Sequence, residues 1–154
     1  MPVRPTTLVL LAIAAAGLTS LGCTRPIRVK NAVPQVTAVG PLSYDPATKE
    51  ATIVFWVRDH EENAVDVNFD LVASNGSTTA LTVHGGHGDV GVTTSNEATG
   101  RAHFVLWRTK GANDQDLDPN APLRLRVVAI DDLGGASQAF DTREFTLTQG
   151  LPVP

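Results

Sequence analysis

Three small groups of residues have the types and spacing that chemistry would need. Asp114, Asp116, Asp118 and Asn120 alternate along one polar stretch, a spacing that can turn several oxygens toward one hard cation such as Ca²⁺. Pro119 and Ala121 stand where a dedicated calcium loop would place its sharp-turn glycine and its bidentate carboxylate, so a plain solvated acidic loop is the competing expectation. His84, His87 and Asp89 surround Gly85 and Gly86 and offer two imidazoles and a carboxylate, the ligand set of a zinc or copper site. The glycines permit such a geometry without preorganising it. Trp56 and Trp107 are the third group: on a solvent face they would form an aromatic platform for glycan or peptide, whereas a domain of this size also needs large side chains in its core.

Covalent and acid–base catalysis find little support. Ser43, Ser74, Ser77, Ser95 and Ser137 lie in turn-like settings without a strand-to-helix elbow. The glycine pairs Gly85-Gly86 and Gly134-Gly135 precede no helix that could receive a phosphate. Asp59, Glu61, Glu62, Asp131 and Asp132 fall at expected strand ends, where a calcium ion would need further ligands from a neighbouring domain, and the chain holds one domain. The expectation is a protein without catalytic residues and without an obligatory cofactor, calcium standing ahead of a transition metal as candidate ion.

The only cysteine is Cys23, so no disulfide can form within the chain. Ahead of it, Arg4 supplies one positive charge and Leu8 to Leu18 an uncharged run rich in leucine and alanine, about the length of a signal-peptide core and short of the roughly 20 residues that span a bilayer. The following Ser20-Leu-Gly-Cys23 resembles the bacterial lipobox, although leucine stands two rather than three residues before the cysteine. That resemblance implies cleavage after Gly22, lipidation of Cys23 and a membrane tether of several acyl chains, which holds effectively permanently. Residues 1–22 are thus read as a signal peptide and 23–34, with Pro26, Pro34, Arg25, Arg28 and Lys30, as a lipidated flexible linker. Thr24 after the lipidated cysteine is not the aspartate that resembles an inner-membrane retention signal, which points to the outer membrane.

With 12 basic and 16 acidic side chains the formal charge is −4, the wrong sign for a nucleic-acid binder. At 154 residues the chain is long enough for one hydrophobic core. From Gln35 onward its apolar residues recur with a period of two, and no amphipathic helix is visible.

Strands are expected from Gln35 to Ser43, Glu50 to Arg58, Ala64 to Ala73, Thr79 to His84, Ala102 to Arg108, Leu123 to Asp131 and Phe140 to Thr148. Asp45-Pro46, Asn75-Gly76 and Gly134-Gly135 mark turns between them. Val65, Val67, Phe69 and Leu71 alternate with Asp66, Asn68 and Asp70, which requires one buried and one solvated face. Seven such strands over residues 35–149, with 150–154 as a tail, predict an all-β, seven-stranded antiparallel sandwich of the immunoglobulin or fibronectin type III kind.

The stretch Ala51-Thr-Ile-Val-Phe-Trp-Val-Arg-Asp59, with Gly100-Arg-Ala-His-Phe-Val-Leu-Trp107 and Leu125-Arg-Val-Val-Ala-Ile-Asp131, is similar to a fibronectin type III-like module of bacterial surface proteins. The chain departs from it in Arg108-Thr109 after the tryptophan and in holding a single copy. The resemblance implies a binding or structural module and carries over no catalytic residue. The functional expectation is a lipid-anchored envelope domain presented to an envelope protein, a surface polysaccharide or another ligand. An assembly subunit joined by strand addition and a small metal-dependent or carbohydrate-active enzyme are the alternatives.

Overall fold

A computed structural model of the chain describes residues 30–73, 75–111 and 114–154; Cys23 and the expected signal peptide lie outside them. The strands are β1 (Gln35–Asp45), β2 (Glu50–Arg58), β3 (Val65–Val72), β4 (Thr78–Ala80), β5 (Val83–His84), β6 (Arg101–Arg108), β7 (Arg124–Asp131) and β8 (Phe140–Asp141). They form two antiparallel four-stranded sheets, ordered β1-β2-β6-β5 and β4-β3-β7-β8. This division of sequence between sheets is that of an immunoglobulin-like sandwich with an added edge strand. Among the described residues no helix is long and apolar enough to cross a membrane.

Alternation dictates which side chains meet between the sheets. Ala51, Ile53, Phe55 and Val57 of β2 face Val65, Val67, Phe69 and Leu71 of β3 across the core, and Val105 and Trp107 of β6 join Leu125, Val127 and Ala129 of β7. Phe55 and Phe69 meet edge to face, with ring centroids 5.2 Å apart.

Eight strands replace the seven expected because the stretch from Thr79 to His84 serves both sheets. Thr78–Ala80 pairs with β3, the Leu81 amide donates to the Phe69 carbonyl (2.8 Å), and Val83 and His84 then pair with β6. The last expected strand is also interrupted. Beyond β8, the Thr142 hydroxyl accepts the Leu125 amide at 3.0 Å, and regular pairing resumes only at the Leu123–Phe145 bridge.

The domain outgrows its expected limits at both ends. Leu151, assigned to a tail, is 5% exposed and exchanges backbone hydrogen bonds with Leu42 at 3.1 and 3.2 Å. Gly150 makes that approach possible, since a Cβ there would lie 2.1 Å from the Leu42 carbonyl oxygen and its φ is +64°. At the other end Pro34 is fully buried, and Asn31 and Ala32 hydrogen-bond to Asp131 and Glu61. Residues 31–34 therefore belong to the domain and not to a free linker.

Candidate functional site

The outward faces of the two sheets differ in chemistry. On the sheet built around β3 and β7 the outward residues are Asp66, Asn68 and Asp70, opposite Ile130, Val128 and Arg126. Arg126 there forms a two-pronged ion pair with Asp141 at 2.7 and 2.8 Å. The guanidinium holds the Asp141 carboxyl below its usual range. A solvated face of this composition is what an antiparallel sheet ordinarily presents.

The face built around β2 and β6 is apolar along its middle. The register sets Val54 directly opposite Phe104, Trp56 opposite Ala102 and Thr52 opposite Leu106, with Ala38 of β1 beside Trp56. Val54, Trp56, Phe104 and Leu106 are half-buried, although they point away from the core. Charge appears at the ends of the stripe: at one, Glu50 lies 3.1 Å from His84 Nε2 and 3.8 Å from Arg108, and at the other stands Arg58, two residues beyond Trp56 on β2. Directly opposed aromatic and β-branched pairs stabilise a sheet. Apolar stripes on a solvent face are also a common basis for recognition surfaces.

The two tryptophans consequently part company. Trp107 is 1% exposed and belongs to the core, because its position on β6 shares parity with His103 and Val105. It cannot line a binding surface; Trp56 keeps that position, with Phe104 as its aromatic neighbour in place of Trp107. Phe104 could have been recognised from sequence by fixing the parity of β6 with the buried Val105, but Ala102, Phe104 and Leu106 make an equally apolar set.

The acidic loop is not arranged around a cation. The carboxylate of Asp116 is held between two ammonium groups, Lys110 at 2.8 Å and Lys49. Their hydrogen bonds, Lys110 first, lower its pKa to about 2. Asp118 caps its own turn by accepting the Asn120 amide at 2.9 Å, and the Asn120 side-chain oxygen accepts from the Thr148 hydroxyl at 3.1 Å. Asp114 has a left-handed backbone (φ +59°), and its carbonyl receives Lys110 Nζ. The oxygens that alternation would aim at one ion are spent on lysine, backbone and threonine instead.

His84, His87 and Asp89 are likewise kept apart. His84 pairs with Glu50, whereas the amide of His87 donates to the Phe104 carbonyl (2.8 Å) and its ring packs 4.6 Å from Phe104 and 5.4 Å from His103. The Asp89 carbonyl accepts the Val67 amide from the other sheet at 2.6 Å. The glycine-rich loop is thus pinned to both sheets, in a form that separates the three side chains. Among the described residues no three His, Cys, Asp or Glu side chains are gathered as ready-made metal ligands.

No family model matches the chain, and no curated protein matches it. Among solved structures it is similar to the PKD domain of M14-like peptidase from Thermoplasmatales archaeon SCGC AB-540-F20, at 14% identity and a TM-score of 0.45 over 80% of this chain and 100% of that one.

One further cluster was visible in sequence only as scattered strand-end acids. Asp59, at the end of β2, is 1% exposed; its Oδ1 accepts the Glu61 amide at 2.7 Å and its Oδ2 has no partner. Asp131, at the end of β7, is 4% exposed; its Oδ1 accepts the Leu133 and Gly135 amides at 2.9 and 2.7 Å, and its Oδ2 meets the Asn31 side-chain amide at 2.6 Å. Burial pushes the Asp59 carboxyl up, with the charges of Glu61 and Asp131 adding to it. Burial acts the same way on Asp131, but the amide hydrogen bonds from Gly135, Asn31 and Leu133 outweigh it and hold that carboxyl below the ordinary range.

Proposed function

We propose that the chain is a non-enzymatic binding module of the bacterial cell envelope, lipid-anchored through Cys23 and facing the periplasm or cell surface from the outer membrane. The observation that carries the binding reading is the asymmetry of the sandwich: the β3–β7 face mixes Asp66, Asn68, Asp70 and Arg126 with Val128 and Ile130, while the β2–β6 face carries Val54, Trp56, Phe104 and Leu106, half-buried, in one stripe. A partner that covers this stripe removes apolar surface from water at about 25 cal/mol per Å² and displaces no charged side chain from the middle of the contact. An envelope protein or a surface polysaccharide fits such a surface, the latter by stacking sugar rings on Trp56.

The anchor rests on the residues around Cys23. The tether gives a weak binding face a high local concentration of envelope partners. Two measurements test the reading. Intact mass after expression in a bacterial host is expected to show loss of residues 1–22 with a lipid adduct, and Cys23→Ala to leave precursor or soluble protein; an unlipidated wild-type product removes the anchor. A photo-crosslinking side chain at position 54 in intact cells is expected to give discrete adducts that Trp56→Ala abolishes, while the same group at position 68 on the opposite face gives none. Equal labelling from both faces removes the binding face.

A further inference from the structure

We propose that Asp59, Asp131 and Asn31 form a site for one Ca²⁺ ion, and that the ion fastens the N-terminal segment to the end of the sandwich.

The unpartnered oxygen of Asp59 is the starting point. A carboxylate removed from water needs donors or a counter-charge. Oδ2 of Asp59 has no donor, and the charges acting on it come from Glu61 and Asp131, both anionic. Next to it is Ser95, whose carbonyl takes the Asp59 amide at 3.1 Å and whose Oγ is also buried without a partner. Two of the three buried side-chain polar atoms without partners among the described residues therefore lie at this one strand end, the third being His103 Nδ1. Asp131 is rigidly presented by two amides of its own turn, and its second oxygen is turned toward Asn31.

The donors at this end are oxygens, carboxylate and amide, with no thiol or imidazole among them. Such a set suits a hard cation. Calcium, which accepts six to eight oxygens in flexible geometry, tolerates this set better than Mg²⁺, which demands a near-ideal octahedron. Two carboxylates neutralise the ion. Asn31 turns its amide nitrogen to Asp131 and accepts Asn63 Nδ2 on its oxygen at 3.5 Å; a half-turn about its terminal bond exchanges both contacts for a bond from that oxygen to the ion, and water completes the shell. Glu61, whose carboxyl also lies against that of Asp59, receives the Ala32 amide on both oxygens at 3.3 and 3.4 Å. With only two charged ligands the affinity falls in the range of extracellular calcium modules, about 10⁻⁴ to 10⁻³ M.

The ligand that a lone domain was expected to lack comes from its own N-terminal segment. Asn31 lies 100 residues from Asp131 in sequence, so the ion joins the entry of the chain to the ends of β2 and β7. It would set the direction in which the domain leaves whatever precedes it.

Thermal unfolding of the full chain in EDTA, 10 mM MgCl₂ and 10 mM CaCl₂ tests the site. The expected result is a rise of about 5–10 °C with Ca²⁺ over EDTA and little with Mg²⁺. Asp59→Asn is expected to melt no lower than wild type in EDTA, because it removes an unpaired buried charge, and to lose the Ca²⁺ response. Asn31→Ala, which leaves the sandwich core untouched, is expected to weaken the response at least tenfold in Ca²⁺ concentration, whereas Asp118→Asn in the acidic loop leaves it intact. A wild-type chain indifferent to Ca²⁺ overturns the proposal. So does a Ca²⁺ response that survives both Asp59→Asn and Asn31→Ala, and one that disappears in Asp118→Asn.

Discussion

Phe55 and Phe69 cross the interface between the two sheets edge to face, their ring centroids 5.2 Å apart and their planes at 76°. Each is at most 2% exposed, and together they tie β2 to β3, the two strands that the charged turn after Arg58 connects. Phe69→Ala is expected to destabilise the domain by about 3–5 kcal/mol, the usual cost of emptying a large aromatic site. Because aromatic pairs of this geometry are worth about 0.5–1.5 kcal/mol beyond their area, chemical denaturation of Phe55→Leu, Phe69→Leu and the double variant should show a coupling of that size. Strict additivity would mean that the contact is no more than shared burial.

The interruption of the last strand rests on one hydroxyl. Thr142 Oγ1 accepts the Leu125 amide in the interior, where a backbone carbonyl would stand in a regular ladder. Thr142→Val keeps the shape and leaves that buried amide without an acceptor, so a loss of about 1–3 kcal/mol is expected. Thr142→Ser retains the hydroxyl and should recover most of it. Equal losses from both variants would assign the effect to packing of the methyl group.

His103 introduces a pH dependence. Its Nε2–H donates to the Thr93 carbonyl at 2.7 Å, its Nδ1 has no partner, and burial first, with His87 and Arg101 nearby, pushes its pKa below the ordinary value of 6.5. The folded state therefore binds fewer protons than the unfolded one. The stabilising effect of a neutral His103 is complete above about pH 6.5 and is lost as the pH falls from there to the lowered folded value. Melting temperatures from pH 7.5 down to pH 5 should fall, and NMR titration of the His103 ring should show a midpoint below 6.5. A His103 midpoint at or above the ordinary value would refute the assignment.

Asp116 acts in a lower window with its own sign. Lys110 and Lys49 hold its pKa near 2, so whatever stability the cluster supplies is present above the unfolded value of 3.8 and is lost as the pH falls from there to about 2. The groups are solvent-exposed, and salt should weaken the effect strongly. Lys110→Met is expected to raise the Asp116 pKa more than Lys49→Met does, as read by carboxyl NMR. It should leave the melting temperature at neutral pH nearly unchanged.

Much of the sandwich is written in local alternation. Period two in β2, β3 and β7 determines which side chains point inward, and Asn75-Gly76 and Gly134-Gly135 mark turns, because those preferences act between residues a few positions apart. The lipobox-like residues before Cys23 are of the same local kind. Tertiary structure alone decided what depends on distant segments. It split the stretch from Thr79 to His84 between two sheets and set the parity of β6 so that Trp107 entered the core while Phe104 joined Trp56 outside. It also drew Leu151 onto Leu42 and placed lysines, instead of a shared cation, against Asp116. The meeting of Asn31 with Asp131 belongs here too: two polar residues 100 positions apart leave no periodic trace, and only the folding of both sheets brings the Asn31 amide onto the Asp131 carboxylate.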